Sequence, residues 1–217
     1  MFEGVIFDMD GLMFDTEPVW VKAWAPTLAS VGVDLPLTLP DATRGTSGKR
    51  LEAIIHQFFP EVDATYVRET LAVTAQQMML EGVPKKPGLD ELLAFLSGCD
   101  MPLAVASSSP LQMIELHLEN AGIRSHFSEL VSGVQLSHSK PEPDIFLLAA
   151  DLLDVRPAHT LVLEDSLAGV RAGVAGGFVT VMVPDLDVPD DFAQKNAARI
   201  CKDLLEVRDL LAAGELG

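Results

Sequence analysis

Val5-Ile6-Phe7-Asp8-Met9-Asp10-Gly11 is the stretch on which the reading of this chain turns. Val5, Ile6 and Phe7 are too few for a helix, are strong strand formers, and run into a glycine turn, so they read as a short buried strand. Side chains two apart on a strand point the same way, so the Asp8 and Asp10 carboxylates are expected to emerge together where the strand ends. In parallel α/β sheets the carboxyl ends of strands are where ligands bind. Two like charges so close are costly unless a metal ion or a cationic substrate group lies beside them. The competing reading is an acidic loop after a strand.

A chain of 217 residues suits one large domain, or one domain with a modest insert. The 48% hydrophobic content points to a well-packed globular protein. With 32 acidic against 15 basic residues the net charge is -17, a surface that repels nucleic acid and anionic membranes, so no partner of either kind is expected. An anionic substrate would need a local positive patch. No segment reaches the roughly 18 to 20 uninterrupted apolar residues of a membrane span. The N-terminus lacks a basic leader, and Asp8 and Asp10 interrupt any secretory core. A soluble, cytoplasmic monomer is expected. Cys99 and Cys201 form no metal-ligand spacing and read as reduced thiols.

From about Pro87 onward, strand-like runs alternate with helix-like segments. Leu103–Ala106, Leu130-Val131, Thr160–Leu163 and Val179–Val183 are the runs; helices are expected near 88–98, 110–121, 143–154 and 166–175. Pro110 and Pro143 stand where first-turn prolines are favoured, and Gly122 where a helix stop is favoured. This alternation predicts a doubly wound parallel-sheet, Rossmann-like α/β core. Residues 17–80 differ: apolar residues such as Leu51, Ile54, Ile55, Phe58 and Phe59 recur at helical spacing. They predict a small all-helical cap inserted after the first strand, giving a core of residues 1–14 and 84–217 and a cap of 15–83. A lid belongs over strand ends, where such an insert would sit.

Three further features fall at strand ends. Ser107-Ser108-Ser109 precedes Pro110, and hydroxyls and amides at a helix N-terminus make either a phosphate cradle or a simple cap. Ser139-Lys140-Pro141-Glu142-Pro143-Asp144 presents one cation, either in a site or on a surface turn. Glu164-Asp165-Ser166 either completes a hard-cation site or caps the following helix. In the helical segment, Arg44-Gly45-Thr46-Ser47-Gly48-Lys49-Arg50 carries three cations; it is either a ligand-facing loop or an ordinary helix connection. None of the five histidines has a metal-ligand spacing. Gly169, Gly173, Gly176 and Gly177 suggest close helix-on-sheet packing and not a dinucleotide fingerprint.

The order Asp8-Met9-Asp10-Gly11, Ser107, Lys140, Glu164-Asp165 resembles the haloacid dehalogenase superfamily, with all four signature motifs present along the whole chain. The insert resembles the cap of the branch containing β-phosphoglucomutases and phosphoglycolate phosphatases. Asp15-Thr16-Glu17-Pro18, the Ala106–Pro110 segment and Lys140-Pro141-Glu142-Pro143-Asp144 most resemble the branch's sugar- or polyol-phosphate phosphatases.

That resemblance implies a Mg²⁺-dependent phosphomonoester hydrolase. Asp8 would be the nucleophile, forming an aspartyl phosphate, and Asp10 the general acid and base. True dehalogenases lack an acid at the second position, so Asp10 argues for phosphoryl transfer. Mg²⁺ would be held by Asp8, the Asp10 carbonyl and Asp165, with Glu164 direct or one water away. Ser107, the Ser108 amide and Lys140 would bind phosphoryl oxygens. Glu17, Trp20, Arg44 and Lys49 are the candidate substrate contacts of the cap.

The alternative is a β-phosphoglucomutase-like sugar-phosphate mutase. Those enzymes carry a histidine five residues past the aspartate of the first cap helix, where this chain has Trp20 after Asp15. Trp20 and Trp24 either line a sugar pocket or fill the cap core. A receiver-like phospho-switch is argued against by the late Glu164-Asp165 and by the chain length.

Overall fold

The computed structural model of the chain describes residues 2–44, 46 and 48–216. The chain divides into two compact units, Met1–Asp15 with Pro84–Gly217, and Thr16–Val83. Strand β1 (Gly4–Phe7) opens the first unit. The second unit follows, with α1 (Glu17–Ser30), α2 (Leu39–Thr43), α3 (Gly48–Phe58) and α4 (Ala64–Met79). Its core forms where α4 packs on α1 and α3, burying Trp24, Leu28, Leu51, Ile55, Val67 and Leu71. The expected stripe on α3 therefore narrows to Leu51 and Ile55, with Ile54 and Phe58 only half-buried. Asp63 starts α4 by accepting from the Thr65 and Tyr66 amides, supplying the first turn with an acceptor it otherwise lacks.

The chain then completes the first unit with α5 (Leu89–Ser97), β2 (Leu103–Ser107), α6 (Leu111–Asn120), β3 (Glu129–Ser132), α7 (Asp144–Leu152), β4 (Thr160–Glu164), α8 (Leu167–Ala175), β5 (Val179–Met182), α9 (Asp191–Asn196), β6 (Arg199–Ile200) and α10 (Leu204–Ala213). The strands form one parallel sheet in the order β3-β2-β1-β4-β5-β6. This is the doubly wound α/β sheet the alternation predicts. Pro110 and Pro143 stand at the N-cap of α6 and α7, one residue ahead of the first turn. The two-residue β6 has no apolar run to announce it.

Both faces of the sheet are covered. Ile6, Ala104, Ala106 and Val162 share a core with Ile145, Phe146 and Ala149 of α7 and Ala172 of α8. The alternate positions Val5, Phe7, Leu103, Val105, Leu161 and Leu163 are buried as well, which is why these strands read as continuous apolar runs and not as alternating ones. A Cβ at Gly173 would meet Thr180 Oγ1 at 2.5 Å, so α8 lies closer on β5 than any other residue would allow.

Gly88 opens α5 with φ +89°, and a Cβ there would stand 2.3 Å from the Leu205 backbone nitrogen at the start of α10. Gly122 is also left-handed (φ +70°) but has open space around it. Gly88→Ala is therefore expected to cost more than about 3 kcal/mol, because backbone must move, and Gly122→Ala about 1 kcal/mol from the dihedral alone. Urea melts of the two variants check the difference; equal losses would remove the α5–α10 contact as its cause.

Candidate active site

Parallel register brings the expected residues to one edge. Phe7 pairs with Val105 on one side and Leu163 on the other, so Asp8 stands level with Ala106 and Glu164, and Ser107 one residue beyond. Since β2 and β3 lie to one side of β1 and β4 and β5 to the other, the strand order reverses here, at the kind of crevice where open α/β sheets bind ligands.

Asp8 continues the β1 ladder by one residue, its amide donating to the Leu163 carbonyl (3.0 Å). The chain then leaves the strand: the Met13 and Phe14 amides both donate to the Met9 carbonyl, at 2.9 and 3.2 Å. The two carboxylates take different partners, Asp8 the Lys140 ammonium and Asp10 the serine hydroxyls. The outgoing and returning segments are themselves hydrogen-bonded, Lys86 N to Met13 O (2.8 Å) and Asp15 N to Pro84 O (2.9 Å).

Lys140 lies at the centre. Its Nζ donates to Asp8 Oδ1 at 2.5 Å and to Glu164 Oε1 at 2.6 Å, and sits 4.7 Å from the Phe146 ring centroid. Its side chain is 8% exposed, so this is a buried ion cluster and not a turn lysine. Burial alone would lower the ammonium pKa, but the charges of Asp8 and Glu164 and the hydrogen bonds they accept hold it above its ordinary value. The other Glu164 oxygen accepts from the Ser166 amide (2.8 Å) and hydroxyl (2.9 Å), while the Ser166 hydroxyl caps α8 by accepting from Gly169 N (3.0 Å). Both Glu164 oxygens are therefore engaged by protein donors. A Cβ at Gly169 would fall 1.8 Å from Glu164 Oε1, so this glycine makes room for a carboxylate. That is a use beyond helix-on-sheet packing.

Asp8, Glu164 and Asp165 each offer an oxygen within 4.8 Å of the others, an all-oxygen set that fits a hard divalent cation. One ammonium cannot balance three acids. Burial, with the neighbouring carboxylates, pushes Asp8 up to about 7 despite Lys140. Burial, Asp8 and Glu164 push Asp165 up to about 9. A Gly11 Cβ would meet Asp165 Oδ2 at 2.3 Å and Asp185 Oδ2 at 3.3 Å, so the turn after β1 presses on the acids and needs its glycine (φ +85°). Asp185 is in turn paired with Lys86 at 2.7 Å, and Asp187 accepts from the Leu167 amide at 2.7 Å.

Asp10 faces the serines. Its Oδ2 accepts from Ser109 Oγ at 2.9 Å and Ser107 Oγ at 3.4 Å. Ser107 is 1% exposed and its oxygen accepts the Ser109 amide (3.0 Å); Ser108 is exposed. Sequence reading left Lys86, Asp185 and Asp187 without roles, and nothing local marks them, since their partners come from other loops; it placed Ser109 in a phosphate cradle or a helix cap and not against Asp10. His117, on α6, is 4% exposed with its ring against Phe14, and neither ring nitrogen has a hydrogen-bond partner among the described residues.

The cap candidates belong to the helical unit. Glu17 begins α1 and pairs with Arg44 Nε at 3.4 Å, and Arg44 also reaches Asp41 at 3.4 Å. Trp20 is half-buried and Lys49 exposed; Trp24, at 2% exposed, is a core residue of the unit. Gly45 and Ser47 of the cationic loop lie outside the described residues.

The sequence matches the family of haloacid dehalogenase-like hydrolases over residues 5–183. It is 33% identical over 215 residues to hexitol phosphatase B of Escherichia coli O157:H7, covering 95% of each chain. With the fructose-1-phosphate phosphatase of Escherichia coli K12 it shares 32% over 183 residues, 84% of this chain and 96% of that one. Among solved structures, a haloacid dehalogenase family hydrolase from Deinococcus radiodurans with bound phosphate and sodium superposes with a TM-score of 0.80 at 27% identity, covering 99% of this chain and 97% of that one. With its acid pair, serine loop, lysine and second acid pair on one edge of a parallel sheet, the chain belongs to the haloacid dehalogenase-like hydrolases.

Proposed function

We propose that this protein is a Mg²⁺-dependent phosphatase that hydrolyses a small sugar or polyol phosphate through an aspartyl phosphate. The observation that carries this reading is the Lys140-bridged Asp8–Glu164 pair with Asp165 beside it and Asp10 turned toward the serines. The substrate class rests on the hexitol- and fructose-1-phosphate phosphatases that the chain resembles.

Lys140 orients Asp8 through one oxygen, and the Asp8 carboxylate attacks the phosphorus. As the P–O bond to the alcohol breaks, Asp10 protonates the leaving oxygen; it then takes a proton from the water that attacks the aspartyl phosphate, releasing inorganic phosphate and restoring Asp8. Ser107, the Ser108 amide and Lys140 bind the phosphoryl oxygens, each worth ~2–4 kcal/mol in the transition state. Asp8, Asp165 and the Asp10 carbonyl would hold Mg²⁺, which when bound neutralises charge on the phosphoryl group. Glu164, already engaged at both oxygens, serves mainly to hold Lys140 and reaches the cation at most through water. Glu17, Trp20, Arg44 and Lys49 are proposed to choose the substrate from the helical cap. A mutase reading shares the core residues; Trp20 in place of a histidine weighs against it.

The test is phosphate release and sugar-phosphate isomerisation followed in parallel with Mg²⁺, on hexose 6-phosphates, hexitol phosphates, fructose 1-phosphate, phosphoglycolate and β-glucose 1-phosphate. Release from one or a few members, abolished by EDTA, is expected; isomer formation without net release would make the protein a mutase.

Asp8→Asn is expected to abolish turnover while phosphate-ester binding stays measurable by calorimetry, and appreciable residual hydrolysis would remove Asp8 as nucleophile. Asp10→Asn is expected to lower kcat/KM, which reports the step that breaks the ester bond, by ~10²–10⁴-fold on an alkyl phosphate and far less on p-nitrophenyl phosphate, since a phenolate leaves without an acid.

The raised Asp8 and Asp165 set the pH behaviour. Between the ordinary carboxyl value of about 3.9 and their folded values, the metal-free folded protein holds more protons than the unfolded chain, so these groups make stability fall as pH rises. Cation binding needs them ionised and reverses the loss. Mg²⁺ should therefore raise Tm more at pH 8 than at pH 5.5. Asp165→Asn should melt at or above the parent in metal-free buffer at pH 8 and gain little from Mg²⁺. A Mg²⁺ shift that is independent of pH or survives in Asp165→Asn would place the cation elsewhere.

A further inference from the structure

The serine loop after β2 holds one contact that phosphate binding does not use. Ser109 is at the mouth of α6, where a serine is expected to cap the helix, yet α6 has Pro110 at its N-cap and no side-chain cap. The Ser109 hydroxyl donates instead to Asp10 Oδ2 at 2.9 Å. Its backbone is fixed on both sides. The Ser109 amide donates to Ser107 Oγ (3.0 Å), and the Ser109 carbonyl accepts from Ser132 Oγ (2.7 Å) at the end of the neighbouring strand β3. Ser132 is placed there by register, opposite Ser107. A hydrogen-bonded path thus runs from β3 through the β2 loop to the carboxyl that follows β1.

We propose that Ser109 is a positioning residue for Asp10, anchored through Ser132. This rests on the reading of Asp10 as the group that protonates the leaving alcohol. Two hydroxyls address Asp10 Oδ2, but they differ in what else they must do. Ser107 has one hydroxyl proton, and donating it to a phosphoryl oxygen withdraws it from the 3.4 Å contact with Asp10. Ser109 then remains as the donor that keeps Oδ2 in place and leaves Oδ1 directed at the reacting oxygen. A hydroxyl can both donate and accept, so it keeps its hold on a carboxylate and on a carboxylic acid alike. That suits a group that alternates between acid and base in each turnover. A general acid works only within hydrogen-bond reach of the atom it protonates, and misplacement by about 1 Å can cost ~10²-fold in rate.

The experiment uses the full chain with Mg²⁺ and four variants: Ser109→Ala, Ser109→Thr, Asp10→Asn and the Ser109→Ala/Asp10→Asn double. Steady-state kinetics are measured on p-nitrophenyl phosphate and on sorbitol 6-phosphate, or on whichever alkyl ester of the panel above turns over fastest; thermal melts follow folding. Ser109→Ala is expected to lower kcat/KM, which reports the step that breaks the ester bond, ~10–100-fold on the alkyl ester with KM changed less than about threefold, and to change kcat/KM on p-nitrophenyl phosphate less than about threefold. Ser109→Thr, which keeps the hydroxyl, should restore most of the loss and keeps the test open if the alanine variant folds poorly. In the Asp10→Asn background Ser109→Ala should cost little more, as expected of two residues acting as one unit.

A raised KM with unchanged kcat would make Ser109 a substrate contact and overturn the proposal. So would an equal loss of kcat/KM on both esters, or an undiminished loss in the Asp10→Asn background. If Asp10→Asn itself lowers kcat/KM on both esters equally, it is the underlying reading of Asp10 that fails, and the positioning role with it.

Discussion

A single buried ammonium, Lys140, reconciles the hydrophobic register of the sheet with the acids at its edge. Packing of Val5, Ile6 and Phe7 between β2 and β4 leaves no freedom in where Asp8 and Glu164 end up: level with one another on adjacent strands, 7% and 1% exposed. Two ionised carboxylates there would repel in a region that water cannot screen. Lys140 bonds both, and Phe146, the third residue of α7, presents its ring to the same ammonium. Such a cluster contributes little net stability compared with apolar packing, but removing its cation would leave buried charge uncompensated. The arrangement therefore speaks of a site more than of a fold.

The balance is deliberately incomplete in the sense that matters chemically. With Asp165 added, three acids face one ammonium, and Asp8 and Asp165 both rise above the ordinary carboxyl range. An added divalent cation offsets that excess, and the oxygen-only donor set suits a hard one. The same local accounting answers the net charge of -17: an anionic phosphate ester meets not the global field but Lys140, the serine hydroxyls and a bound cation.

Room for these groups comes from absent side chains. Gly11 and Gly169 occupy volumes that any Cβ would share with the Asp165 and Glu164 carboxylates. Around them, short polar side chains do the orienting: Ser166 both starts α8 and holds Glu164, and Ser132 pins the loop whose Ser109 reaches Asp10. Lys86 and Asp185 tie the returning linker to the loop after β5, so the turn after β1 is bounded on each side by a fixed segment.

By itself the sequence determined the parallel α/β sheet, the helical segment after β1, and the set of polar residues standing at strand ends, because each leaves a local trace: an apolar run, a helical period, a glycine or proline beside it. It also carried the family resemblance, which rests on the order of short motifs. Only the tertiary structure decided which of those residues touch. Lys140 meets Asp8 across 132 residues and Lys86 meets Asp185 across 99, separations over which no local pattern carries information. The tertiary structure also sent the Ser109 hydroxyl to Asp10 and not to the α6 helix end, engaged both oxygens of Glu164, and gave Asp8 and Asp10 different partners. The physical reason is common to all of these. Hydrophobic periodicity fixes where a backbone lies, whereas a buried polar group takes whichever partner the assembled loops bring within hydrogen-bonding distance.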